Sequence, residues 1–369
     1  MSPIDNLPVE LLGRVFVHAI FASNGHPFEL DGSSTNPYDI TLVSRHWRDV
    51  ARSTPQLWVI LPGCYRQLWE GLIRRSGALP LCLRYNEEAP RLQASEVWSP
   101  KLLGGPERYK RLQGLVVKRY SCDLQRSLDH STLSPSLRYV HLEGTKGFAL
   151  WDIHEGFLPF VQSLPHLVYL GLGGKWIPMG VLNNGGPTSP RFKHPNLRHL
   201  WLRGTWSLIW FLENSPLRIP ETLEVHAQCL PDIPRVEPLI TVFRDFLEGR
   251  DEAPRTLSLS SDPSSSVLEI KIDNFGDRTE YDPTTPTLKL TVSGFREAPL
   301  EAWGKLVLAL PSLKSVEEVA LHRVQLYRPD AEHLLQVVPH TNRVVATGSD
   351  AKVVIIGAPQ PIEVVPSGE

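Results

Sequence analysis

The sequence predicts an α/β protein: an N-terminal helical module over 1–62, then an array of stacked strand-and-helix units over 63–357, then a short tail. Three observations point there. Apolar residues recur at helical spacing in the first stretch of the chain. A proline-led strand pattern returns three times at a fixed interval of 30 residues. Thirty-three prolines and 26 glycines punctuate the rest into segments too short for long helices.

The N-terminal element begins at Leu7-Pro8-Val9-Glu10-Leu11-Leu12-Gly13-Arg14-Val15-Phe16. Asn6 or Asp5 can cap a helix, Pro8 suits its first turn and Glu10 complements the positive helix end. Leu7, Leu11, Leu12, Val15 and Phe16 fall on one apolar stripe. A second amphipathic segment, Leu42-Val43-Ser44-Arg45-His46-Trp47-Arg48-Asp49-Val50-Ala51, follows, and then Leu57-Trp58. Helices this short carry more apolar surface than a module of about sixty residues can bury, which marks a docking element.

These landmarks resemble the F-box, whose usual form runs Leu-Pro-x-Glu-(Leu/Ile), then Val-(Cys/Ser)-(Lys/Arg)-x-Trp, then Leu-Trp. The connector from His18 to Tyr38 is longer than in the common form and reads as a loop, as in the F-box-like branch widespread in fungi. The resemblance implies a three-helix element that inserts into the Skp adaptor of cullin-RING ubiquitin ligases. Carried over by position, Leu7, Pro8, Leu11, Leu12, Val15, Phe16, Leu42, Val43 and Trp47 are its contact or packing residues. A helical cap for the following array, with no adaptor, is the other reading of the same residues.

The repeat reads Pro-x-Leu-x-x-(Leu/Val)-x-Leu-x-Gly at Pro135–Gly144, Pro165–Gly174 and Pro195–Gly204. Each copy is a short strand with alternating apolar positions closed by a turn, and each follows a segment able to make a short helix. Such a unit cannot bury its own face, so copies stack. The pattern resembles a leucine-rich repeat, here irregular: the ninth position, Asn in the common form, is Thr145, Lys175 and Thr205. Ser76-Gly77-Ala78-Leu79-Pro80-Leu81-Cys82-Leu83 resembles the element that follows the F-box in the fungal-type proteins and starts the array without a flexible linker.

Outside the three copies, strands are expected near Leu112–Val117, Leu223–Val225, Leu257–Leu259, Leu268–Ile272, Leu288–Val292, Val319–Leu321, Val344–Val345 and Val353–Ile356. Helices are expected at Leu239–Leu247, Leu300–Leu310 and Asp330–Val338. For Leu257–Val292 two packings remain open: further repeats, or a small antiparallel sheet interrupting the array with a turn at Pro283-Thr284-Thr285-Pro286. The tail, 358–369, is expected to fray.

In the repeat frame the leucines point inward and the residues between them outward. Tyr139, His141, Tyr169, His199, Trp201 and Arg203 are thereby the candidate substrate-binding residues, with Gly171 and Gly173 leaving room for a partner's side chain. Tyr, Trp and Arg dominate interface energetics.

Composition excludes other classes. With 38 basic and 40 acidic side chains there is no electrostatic footprint for nucleic acid. No apolar run approaches the ~20 residues of a membrane span. Cys64, Cys82, Cys122 and Cys229 stand far apart, as reduced thiols of a cytosolic or nuclear protein do. Gly171-Leu172-Gly173-Gly174-Lys175 lacks the spacing and hydroxyl of a phosphate loop, since Trp176 follows it. No HExxH, zinc spacing, nucleophile elbow, kinase or dinucleotide fingerprint occurs. The expectation is a non-enzymatic, cofactor-free substrate receptor that binds a Skp-type adaptor, with its cullin complex, and a protein substrate. The rival is a non-ubiquitin leucine-rich-repeat scaffold.

Overall fold

The computed structural model describes residues 4, 7–21, 37–63, 65–86, 103, 105–118, 134–144, 157–174, 194–204, 211, 222–228, 256–262, 267–273, 287–293, 316–322, 328–341, 343–347 and 363–366. The chain is α/β, with helices at the N-terminus and parallel strand pairing after them. It divides into two compact units, Met1–Gly171 with Pro195–Leu197, and Leu172–His194 with Arg198–Glu369.

The first unit opens with α1 (Val9–Phe21), α2 (Pro37–Val43) and α3 (Arg45–Arg52). Ser44 separates α2 from α3. Its extended backbone ends one helix, and its hydroxyl accepts the Trp47 N–H at 3.1 Å to cap the next. Leu12, Phe16 and Ile20 form the buried stripe of α1, and Trp47 packs its ring 4.9 Å from that of Phe16. The Leu57-Trp58 pair closes this core from a 3-10 turn, with the buried Trp58 Nε1 donating to the Ala51 carbonyl at 2.9 Å.

Strand β1 (Ile60–Pro62) follows directly, then α4 (Trp69–Arg75), β2 (Leu81–Asn86), α5 (Pro106–Lys110), β3 (Leu112–Lys118), β4 (Tyr139–Gly144), α6 (Leu158–Gln162) and β5 (Tyr169–Gly174). The strands lie in chain order, with β1–β2, β2–β3 and β3–β4 paired in parallel. Successive units are tied to one another through the backbone. The residue before each strand bonds across to the preceding unit, Arg138 N–H to the Gln113 carbonyl and the Val168 and Tyr169 N–H groups to the Arg138 carbonyl. Asn196, in the next copy, donates from Nδ2 to the Pro165 carbonyl at 2.7 Å.

Helix α4 is bolted to what surrounds it. Trp69 Nε1 donates to the Pro62 carbonyl at 2.7 Å, and Leu72 and Ile73 are buried. The turn after it uses Gly77 at φ 60°, a conformation that favours glycine. Arg111 spans this turn, donating to the Leu79 carbonyl and, at 2.8 Å, to Ser76 Oγ. The segment between β1 and β2 is thus held on both sides of its turn by side-chain bonds.

In the second unit, β6 (His199–Gly204) and β7 (Thr222–Gln228) pair in parallel. The order then becomes β7-β10-β9-β8-β11-β12-β13, with β8 (Thr256–Asp262), β9 (Val267–Asp273), β10 (Thr287–Ser293), β11 (Glu318–His322), β12 (Arg343–Thr347) and β13 (Glu363–Pro366). Strand β9 is antiparallel to both β8 and β10, while β10 is parallel to β7 and β8 to β11. Of the two packings open for Leu257–Val292, the antiparallel pairing of the second is observed, but the three strands continue the same sheet through β7 and β11 and do not form a separate one; the turn expected at 283–286 lies outside the described residues. Register aligns Leu223, Leu288, Ile272 and Leu257 strand to strand.

The helix expected at Asp330–Val338 is α7 (Arg328–Val337), with Leu334 and Val337 buried. Those expected at 239–247 and 300–310, and the strand at 353–356, lie outside the described residues. The tail differs from expectation. Glu363–Pro366 pairs in parallel with Arg343–Ala346, because Val364 and Val365 supply a strand-forming pair opposite Val344 and Val345.

Candidate docking face on the N-terminal helices

The nine motif residues do not act as one set. Helix α1 carries two apolar stripes. Leu12 and Phe16 are 0% and 2% exposed and belong to the core. Leu11 and Val15, 47% and 43% exposed, face solvent, and Pro8 in the turn before them is exposed as well. Leu42 at 76% and Val43 at 61%, the last two residues of α2, are the most open large apolar side chains described. Leu7 and Trp47 are half-buried. The structure thus separates the motif into packing residues (Leu12, Phe16, and in part Trp47) and an open apolar group (Pro8, Leu11, Val15, Leu42, Val43).

That separation follows from helical geometry. Positions 12, 16 and 20 lie four apart and follow one line along α1, whereas 11 and 15 follow the adjacent line. A single helix can bury one line against α3 and the 3-10 turn and still present the other. Exposed apolar residues are costly to leave in water, and covering each is worth about 1.5–3 kcal/mol before the costs of association. Val9, also 47% exposed, is missing from the motif-derived set and lies on the side of α1 that carries Phe16, not Leu11. Its solvent position is set by packing and has no signature in the sequence.

The six candidate residues of the repeat face also divide. Tyr139, His141 and Tyr169 are buried, at 3%, 5% and 5% exposure. Their rings cover one another: Tyr139 stacks on Tyr169 with centroids 4.1 Å apart and planes 9° from parallel, and His141 Nδ1 lies 3.3 Å from the Tyr169 hydroxyl. His141 Nε2 lies 3.7 Å from the Glu143 carboxylate. The room expected at Gly171 is already filled, since a Cβ there would strike the His141 imidazole. Both faces of β3 and β4 are buried, as in a sheet covered on two sides, so the alternation in the sequence does not translate into an open column here.

The remaining three residues lie on β6. His199 and Trp201 are half-buried and Arg203 is exposed, while Leu200 and Leu202 point into the core. Register places Trp201 opposite Glu224 and Arg203 opposite His226 on β7. His226 Nε2 and Glu224 Oε1 are 2.8 Å apart, and the Trp201 ring is 5.3 Å from the His226 ring. Glu224 and His226 are members of this cluster that the sequence reading passed over. Their signal was the alternation Leu223-Glu224-Val225-His226, which becomes informative once β7 is known to lie beside β6.

Among the described residues no group of three or more His, Cys, Asp or Glu is placed to hold a metal ion, and no helix is long and apolar enough to cross a membrane. Gly174, at φ 60°, turns the chain at the end of β5, the place of the Gly-rich run that superficially suggests a phosphate loop. Cys82 is buried and unpaired with another cysteine, and its burial pushes the thiol up to about 12. Comparison of the sequence with known protein families and with characterised proteins finds no match to either.

Proposed function

We propose that this chain is an F-box-like substrate receptor of a cullin-RING ubiquitin ligase, with an irregular leucine-rich-repeat body. One observation carries the reading. Of the residues that resemble the F-box motif, those the fold does not need for its own core, Leu11 and Val15 on α1 and Leu42 and Val43 at the end of α2, are left as exposed apolar side chains. A helical cap that only closed an array would have no reason to hold Leu42 and Val43 in water. In this reading the helices bind a Skp-type adaptor, the adaptor joins the cullin, and a protein substrate binds elsewhere on the chain.

The receptor itself catalyses nothing. Holding the substrate near the transferred ubiquitin raises the effective concentration of lysine and thioester, which is the whole of its contribution to rate. The part of the candidate face suited to the substrate is the half-buried cluster on β6 and β7, with Arg203 exposed at its edge: Trp201, Arg203, His199, Glu224 and His226. A half-buried indole flanked by charged and hydrogen-bonding groups is a typical hot-spot composition. Such a receptor works in the cytoplasm or nucleus.

The test is co-expression with a Skp adaptor, comparing wild type with Leu42→Asp, Val43→Asp and Leu11→Asp variants. These positions are exposed, so the variants keep the fold and its circular dichroism spectrum. Capture by wild type, lost in the variants, supports the receptor reading. Recruitment of a cullin by the captured pair then separates ubiquitin transfer from an adaptor complex with another role. A folded wild type that captures no adaptor leaves the scaffold reading in place.

A further inference from the structure

We infer that Arg75, beyond the motif region, is a positioning residue for the docking face: it holds α2, and with it Leu42 and Val43, in place. The inference rests on the reading of that face as a docking site for its consequence, but its geometry stands alone. Helix α2 has seven residues, too few to be stable by itself. Ile40 is its buried residue, so little hydrophobic burial secures the two most exposed side chains of the face. Polar and aromatic contacts add to it. Arg48 of α3 donates from Nε to the Thr41 carbonyl at 3.0 Å, and Tyr38 enters an aromatic cluster at the other end.

That cluster is built from three parts of the chain. Tyr38 meets the Trp58 ring edge-on, with centroids 5.4 Å apart and planes at 66°. The Arg75 guanidinium lies 4.8 Å from the Trp58 centroid and 5.9 Å from that of Tyr38, within the range in which a cation is attracted by an aromatic face. Trp58 is fixed by burial and by its bond to Ala51. Arg75 is the last residue of α4, where a cation is favoured by the helix end, and α4 is itself secured through Trp69 and Pro62. Arg75 and Trp58 together form a rigid seat for Tyr38. A planar guanidinium suits it better than an ammonium does, because the plane can lie against the rings.

The docking face therefore does not end with the F-box-like residues. Its presentation depends on a side chain from the helix after β1.

The test uses the full chain as wild type, Arg75→Ala and Arg75→Lys, with two readouts. Amide hydrogen exchange at Thr41–Val43, measured without any adaptor, is expected to accelerate about three- to thirtyfold in Arg75→Ala, the span of one cation–π contact from solvent-exposed to desolvated. Arg75→Lys should recover part of that protection. Exchange in α1 and in β2–β3 should stay at the wild-type rate. Adaptor capture should weaken by a similar factor in Arg75→Ala, against outright loss in Leu42→Asp. Unchanged exchange at α2 overturns the inference, and so does acceleration spread equally over α1 and β2–β3, which marks a general structural role. Faster exchange with undiminished capture also overturns it, by showing that α2 need not be held. If wild type captures no adaptor, the receptor reading fails by itself, and the exchange result still decides whether Arg75 holds α2.

Discussion

Adjacent residues in this protein carry opposite tasks. Leu11 and Leu12 are neighbours of the same type, yet one faces water and the other is wholly buried. Leu12→Ala should cost about 2–5 kcal/mol, as buried leucines do, and Leu42→Ala less than about 0.5 kcal/mol. Urea denaturation of the two variants checks this, and similar losses in both would mean the partition is wrong. Gly171 makes a second case. A methyl group there meets the His141 ring and, at 3.1 Å, the Tyr169 ring, so Gly171→Ala should lose about 1–3 kcal/mol. His141→Ala introduced with it should recover part of that loss, which a double-mutant cycle measures; strict additivity would remove the steric explanation. The sequence placed His141 and Tyr169 on the strands correctly but could not reveal their burial. Burial depends on what covers the sheet, and alternation reports only which side a residue takes.

Elements are joined here by side chains that cap backbone groups at turns. Ser44 lets two short helices meet without a loop, because its hydroxyl replaces the carbonyl that a continuing helix would supply. Arg111 does similar work between α4 and β2. Removing it in Arg111→Ala leaves the Leu79 carbonyl without its guanidinium donor and should cost about 1–3 kcal/mol. Arg111→Lys should recover less than half, since one ammonium cannot reproduce a fork that reaches both Leu79 and Ser76. Equal stability of the lysine variant and wild type, by thermal unfolding, would argue against the fork. At α4 and α5, the Arg108 guanidinium bonds the Glu70 carboxylate and holds it below the usual carboxylate range. Both groups are exposed, so this pair orders a surface and contributes little to stability.

For the whole chain, the alkaline limb of stability should be the revealing one. Burial raises the Cys82 thiol from 9.0 and the Tyr109 phenol from 10.0, each to about 12. A group whose folded value is raised contributes stability that is complete below its unfolded value. That stability is lost as pH climbs towards the folded value, because the unfolded chain releases the proton first. The urea midpoint should therefore fall between about pH 9 and 12, and fall less steeply in Cys82→Ala than in wild type. Parallel curves would show that Cys82 does not titrate on unfolding. Native Cys82 should also resist alkylation near pH 8 and react once the chain is unfolded, read by mass spectrometry of the labelled peptide.

The sequence by itself determined the periodicity, and through it the identity of most elements. The Pro-x-Leu-x-x-Leu-x-Leu frame located β4, β5 and β6, and shorter alternations located β3 and β7 to β12, because a strand's side-chain period is a local property of the backbone. It also determined the helical character of the first segments and the motif residues that support the proposed function. Only the tertiary structure decided which of those residues are covered. It split Leu7–Phe16 into a core stripe and an open stripe and buried Tyr139, His141 and Tyr169. It ran β9 antiparallel, added β13 to the edge of β12, and brought Glu224 and His226 beside Trp201 and Arg75 over Trp58 and Tyr38. Each of these is a contact between segments distant along the chain, and alternation within a segment carries no information about which neighbour it will meet.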